Sequence, residues 1–101
     1  MYYITYKTVL KAGRKYEDFT QWLGQYWTMQ RNWGATSVQF WNDNDKNKNI
    51  IICRFAVKNL EKWNYQSIQP EAEPAILALS QIVDINQTSL KIGLNPVFEN
   101  E

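Results

Sequence analysis

The sequence has no histidine among its 101 residues and a single cysteine, Cys53. The first absence removes an imidazole general base, an imidazole metal ligand and a proximal histidine for haem. The second removes any internal disulfide, and the neighbours Ile51, Ile52 and Phe55 mark Cys53 as a buried, inert thiol of a reducing compartment. A large excess of either sign of charge is also missing. Eleven basic and ten acidic side chains leave a net +1, so no overall field gathers nucleic acid or anionic lipid. No apolar run approaches the ~20 residues of a membrane helix, and MYYITYKTVL lacks the apolar stretch of a signal peptide, so the expected address is the cytoplasm. There is no internal repeat and no linker, and residues 1–101 are expected to form one domain.

What is present is aromatic. Apolar residues make up 45% and rings 15% of the chain, a composition for a folded globule. Four of the five tryptophans lie in QWLGQYWTMQRNWGATSVQFW, residues 21–41. From Tyr16 to Trp33 the spacing is helical: at about 100° per residue, Tyr16, Phe19, Trp22, Leu23, Tyr26, Trp27, Met29 and Trp33 share one arc of about 160°. Gly34 supplies the stop.

Around that helix the pattern alternates. Tyr2–Leu10 reads as a strand ended by KAGR, and TSVQFW and NIIICRFAV read as an antiparallel pair joined by the polar DNDKNK. A second helical region runs through LEKWNYQS, breaks at Gln69 and Pro70, and resumes in EAEPAILALSQIV, with Pro74 in its first turn. DINQTSLKIGL, residues 84–94, is expected as the last strand, and the tail NPVFENE as extended chain. The order strand, helix, strand, strand, helix, strand predicts an α+β, ferredoxin-like βαββαβ fold. Its antiparallel sheet runs in the order 4-1-3-2, with both helices on one face.

Alternation then separates the two faces of the sheet. The helix side takes Ile4, Tyr6 and Leu10, then Val38 and Phe40, then Ile51, Cys53, Phe55 and Val57, then Leu90, Ile92 and Leu94. The open side takes Tyr3, Lys7 and Val9, then Ser37, Gln39 and Trp41, then Ile50, Ile52 and Arg54, then Gln87 and Lys91. That open side is too apolar for a solvated face, and the simplest cover is a second copy of the chain, sheet against sheet. Tyr3, Lys7, Trp41, Ile50, Ile52 and Arg54 are its expected interface. The cations Lys7, Arg54 and Lys91 then need compensation, for which Gln39, Gln87, Glu99 and Glu101 are available.

The aromatic-dense first helix, the hairpin VQFWNDNDKNKNIIICRFAV and the stretch NLEKWNYQSIQPEAEPAILALSQIVDINQTSL together resemble the dimeric α/β-barrel superfamily. That superfamily includes antibiotic-biosynthesis-type monooxygenases. The resemblance covers nearly the whole chain and rests on element order and pattern. It implies a homodimer whose two sheets pack into a barrel, with ligands between the helices and the sheet of each subunit. For some relatives it implies oxidation of electron-rich aromatics without a cofactor, the substrate's own carbanion reacting with oxygen. No catalytic residue carries over, because no position matches a specific motif.

Within such a fold, Gln30 stands out. On the helical wheel it lies between Phe19 and Leu23, in the middle of the apolar arc, where a polar group must find a partner or a ligand. Tyr6, Tyr26, Trp27, Gln30 and Trp63 are accordingly the candidate lining of a small aromatic cleft. Its ligand would be small and apolar, with no cofactor and no metal. Asp43, Asp45 and Asn47 have calcium-loop spacing, but Lys48 and Arg54 occupy the positions that need glycine and glutamate. Basic groups beside Tyr3 and Trp41 on a four-stranded sheet suit RNA-recognition modules. Those modules place rings on the central strands, however, where this chain has Ile50, Ile52 and Arg54, so nucleic acid is not the expected partner. The expected function is binding of a small apolar or aromatic molecule, with cofactor-independent, monooxygenase-like chemistry as its enzymatic form. The alternative is a non-catalytic dimerisation or scaffold module with a filled interior.

Overall fold

A computed structural model describes residues 1–43 and 49–94. The tip of the polar hairpin, with Asp45, Asn47 and Lys48, and the tail NPVFENE, with Glu99 and Glu101, lie outside the described residues.

The elements run β1 (Tyr2–Val9), α1 (Tyr16–Asn32), β2 (Ala35–Asp43), β3 (Ile50–Val57), α2 (Leu60–Ser67), α3 (Glu73–Ser80) and β4 (Ser89–Gly93). The sheet order is β2-β3-β1-β4, which is the expected 4-1-3-2 read from the other edge. Every pairing is antiparallel. The fold is α+β and ferredoxin-like.

Local chemistry accounts for the boundaries. Asp18 Oδ2 accepts from the Lys15 backbone N–H at 2.9 Å, satisfying a donor ahead of α1, while Glu17 and Asp18 at its start and Arg31 at its end suit the helix dipole. After Trp33 the chain turns at Gly34, whose φ of +108° a side chain would resist. Asn59 caps α2 through Oδ1, which accepts from Lys62 N–H at 3.0 Å. The expected break at Gln69 and Pro70 is a short 3₁₀ turn over Pro70–Ala72, and Pro74 sits in the first turn of α3. The second helical region is thus two helices of eight residues, α2 and α3.

Two expectations need correction. The last strand does not begin at Asp84. Its carboxylate accepts from Asn86 N–H at 3.0 Å and from Gln87 Nε2 at 2.8 Å, folding Ile85–Gln87 into a 3₁₀ turn and delaying β4 to Ser89. Gln87 is therefore tied to Asp84 and does not join the open face. The second correction concerns exposure. Leu90 and Ile92 have the parity of the helix side, and pair with Tyr6 and Ile4, yet are 49% and 43% exposed because β4 is an edge strand.

The register confirms the division into faces. Tyr3, Thr5, Lys7 and Val9 pair with Ala56, Arg54, Ile52 and Ile50, and Gln39 and Trp41 pair with Arg54 and Ile52. A bulge between Ala35 and Ser37 resets β2 so that both of its ends keep this parity. The open face is more closed than its apolar content suggested. Ile52 is 2% and Arg54 7% exposed, and Ile50 is also buried, so their contribution to an exposed patch is smaller than expected.

Candidate functional site

The core lies between the helices and the inner face of β1 and β3, and is built from rings. Phe55, on central strand β3, has the Trp63 ring at 5.0 Å, Tyr6 edge-on at 6.2 Å and Trp27 stacked at 6.4 Å. Trp33 meets Trp63 edge-on at 5.3 Å. Trp22 reaches across to α3 and donates its indole N–H to the Ala75 carbonyl at 2.9 Å. That bond fixes the spacing of α1 and α3 with an atom that apolar packing alone would strand.

These rings do not fill the space. A cleft of about 350 Å³ opens between α1, α2, α3 and the sheet, with Tyr6, Phe19, Trp22, Trp33, Phe55 and Trp63 among its walls. For comparison, a cavity of about 150 Å³ accommodates benzene. The polar members of the lining are Thr8, Gln30, Ser67 and Thr88, with the hydroxyl of Tyr6 and the thiol of Cys53. Among the described residues, no Asp, Glu, Lys or Arg takes part.

Of the five residues expected here, Tyr6, Gln30 and Trp63 line the cleft. Tyr26 and Trp27 do not. Tyr26 packs its ring 5.9 Å from Trp22, and Trp27 stacks on Phe55, so both brace wall residues from elsewhere in the ring cluster. Phe19, Trp22 and Trp33 were legible as inward-facing but not as wall. Thr8 was missed, although it shares the parity of Tyr6. Thr88 and Ala75 carry no signal in the sequence that separates them from ordinary turn and core residues.

Gln30 is 4% exposed, in the last turn of α1, and its Oε1 has no hydrogen-bond partner among the described residues. Across the cleft, Thr88 Oγ1 donates to the Asp84 carbonyl at 3.0 Å and lies 2.7 Å from Thr8 Oγ1. With the Thr88 proton committed to Asp84, the proton between the two hydroxyls must come from Thr8. Burial pushes the Tyr6 phenol up, opposed in part by its hydrogen bond with the Trp63 side chain, and the Cys53 thiol is pushed up to about 12 by burial. Both groups are neutral at physiological pH. Among the described residues, the cleft thus contains no ionised group, no base poised near pH 7 and no reactive thiolate.

A groove of about 290 Å³ adjoins the cleft and shares Ser67 and Ile76 with it. It runs over the α2–α3 turn between exposed side chains such as Ile68 and Leu77. Among the described residues, no three His, Cys, Asp or Glu are grouped to hold a metal ion.

On the open face, Arg54 donates from Nε to Gln39 Oε1 at 3.0 Å and also from Nη2 to the same oxygen. Its guanidinium carbon lies 6.0 Å from the centre of the Tyr3 ring and 5.9 Å from that of Trp41. Gln39 thus accepts two hydrogen bonds from this cation, and the rings add a cation–π contact. Lys7 is partly buried and Lys91 exposed.

No protein-family model matches the chain, and no curated protein matches its sequence. Solved structures match across nearly its full length. SnoaB of Streptomyces nogalater, described as a cofactor-independent oxygenase, gives a TM-score of 0.71 at 13% identity, covering 99% of this chain and 96% of its own. A protein of Bordetella bronchiseptica, named as a candidate antibiotic biosynthesis monooxygenase, gives 0.77 at 7% identity, with 95% and 97% covered. The fold is theirs. HapK of Hahella chejuensis adds a TM-score of 0.70 at 11% identity, with 97% of both chains covered. These neighbours agree with the superfamily that the sequence pattern resembles, and at such identities the likeness is one of fold. No helix among the described residues is long and apolar enough to cross a membrane.

Proposed function

We propose that this protein binds a small, uncharged apolar or aromatic molecule in the cleft between its helices and sheet. The observation that carries this reading is the cleft itself: about 350 Å³ walled by six aromatic rings, with a buried amide oxygen left without a partner among the described residues. Natural interiors rarely leave so much ring surface unfilled or a polar atom unsatisfied without a use. The same volume argues against the scaffold reading, which needs a filled interior. Thermal shift against uncharged bicyclic aromatics is the test. Stabilisation by such compounds supports the reading, and none across the panel overturns it.

A second reading is cofactor-independent oxygenation of the bound aromatic, favoured by the likeness to SnoaB. Among the described residues the cleft has no ionised group to abstract a proton or balance a carbanion, so the substrate this reading calls for is one that loses its proton readily by itself. Oxygen consumption with an electron-rich hydroxyaromatic in metal-free buffer tests it. Turnover above the protein-free rate supports this chemistry, and none leaves binding as the function.

The proposed partner is a second copy of the chain across the open face of the sheet, with Tyr3, Lys7, Trp41 and Arg54 in the interface and Ile50 and Ile52 behind them. The partly exposed rings of Tyr3 and Trp41 beside Val9 give that face its remaining apolar area. Native mass spectrometry should report the dimer mass, whereas a monomer at micromolar concentration contradicts it.

A further inference from the structure

We propose that Gln30 and Thr8 select the ligand, as hydrogen-bond acceptors that require an uncharged O–H or N–H donor on the bound molecule. This rests on the reading of the cleft as a binding site and goes beyond it by assigning specificity to two residues. The first observation is Gln30: 96% removed from solvent by its 4% exposure, lining the cleft, with Oε1 lacking a partner among the described residues. The terminal torsion of a glutamine is broad, so rotation of the amide is the movement that would turn this oxygen toward a ligand.

The second observation is independent and concerns the direction of protons. Thr88 gives its proton to the Asp84 carbonyl and Thr8 gives its proton to Thr88, so the remaining lone pairs of Thr8 are acceptors. The Trp22 indole N–H, a donor on the same wall, is already committed to Ala75. Two acceptor-bearing side chains, one on α1 and one on β1, thus belong to a lining that is otherwise mostly apolar, with Ser67, Thr88 and the Tyr6 hydroxyl as its other oxygen-bearing groups. A buried site that offers acceptors discriminates strongly, because a ligand without a donor leaves them unpaired. An anionic ligand is disfavoured as well, since the lining holds no cation among the described residues.

Calorimetric titration of the wild-type chain, Gln30→Leu and Thr8→Val with indole and with benzothiophene is the test. The two probes match in size and shape, and indole alone carries an N–H. In either variant, indole binding is expected to weaken by roughly tenfold while benzothiophene stays within about threefold. Equal effects on both probes in both variants, with benzothiophene still bound by the wild type, overturn the assignment and leave the binding reading intact. If the wild type binds neither probe, the binding reading fails and this inference with it. Thermal melts of each variant establish that the titrated protein is folded.

Discussion

Replacing Gln30 by leucine should stabilise the protein. The change keeps a side chain of similar reach in the last turn of α1, where glutamine and leucine have nearly equal helix propensity, so the backbone term is close to zero. What it removes is a buried amide oxygen without a partner among the described residues, a situation that costs about 1–3 kcal/mol. It also loses less rotamer entropy on burial than glutamine does. The branched end of leucine could overpack a filled core at a cost of about 1–3 kcal/mol, but the adjoining cleft gives it room. The net expectation is a gain of about 1 kcal/mol, which for a domain of this size raises Tm by about 4–8 °C. Urea unfolding followed by circular dichroism should show a higher midpoint with an unchanged m-value. A lower midpoint at the same m-value would refute the reasoning, because it would mean that Gln30 is satisfied in the folded chain.

Other consequences follow from the same geometry. Phe55→Ala should cost about 3–5 kcal/mol, because Phe55 is 3% exposed and meets Tyr6, Trp27 and Trp63; a urea-derived loss under about 1 kcal/mol would contradict its place at the centre of the ring cluster. Cys53 should resist a disulfide reagent at pH 8 until the chain is denatured. Because its folded pKa is raised from 9.0 to about 12, the associated stability is intact below pH 9 and is lost as pH rises toward 12, a trend that Cys53→Ala should flatten relative to the wild type in urea titrations. Asp84 titrates in the opposite sense: its hydrogen bonds with Gln87 and Asn86 lower its folded pKa. The stability this provides is present above the unfolded value of about 3.9 and disappears as pH falls through the lower folded value. Asp84→Asn keeps an acceptor in the turn without the charge, so its urea midpoint should fall less than that of the wild type over this acidic range.

Much of this architecture was written in alternation and periodicity. The parity of IIICRFAV fixed which residues of β3 face the helices, and the antiparallel register carried that division to β1 and β2. Gln30 was visible because one polar residue interrupted an otherwise apolar arc. The sequence was less clear where a side chain competes with the strand: Asp84 captures two nearby donors and holds off β4 until Ser89, which no count of apolar residues reveals. Parity also says nothing about cover. Leu90 and Ile92 have inward parity on an edge strand and remain exposed, while Ile52, on the open side, is buried. A helical arc of about 160° is wider than the cleft it faces, so Tyr26 and Trp27 could not be told from the true walls. The hydroxyl pair of Thr8 and Thr88 spans eighty positions and exists only once the chain has folded.

The central claim is that the space beside Gln30 receives a small uncharged aromatic molecule. Its most direct test is a crystal structure of the protein soaked with indole. Density is expected between α1 and the sheet, with the indole ring against Trp63 or Phe55 and its N–H within hydrogen-bonding distance of Gln30 Oε1 or Thr8 Oγ1. A cleft closed by its own side chains, or indole bound elsewhere on the surface, would contradict it.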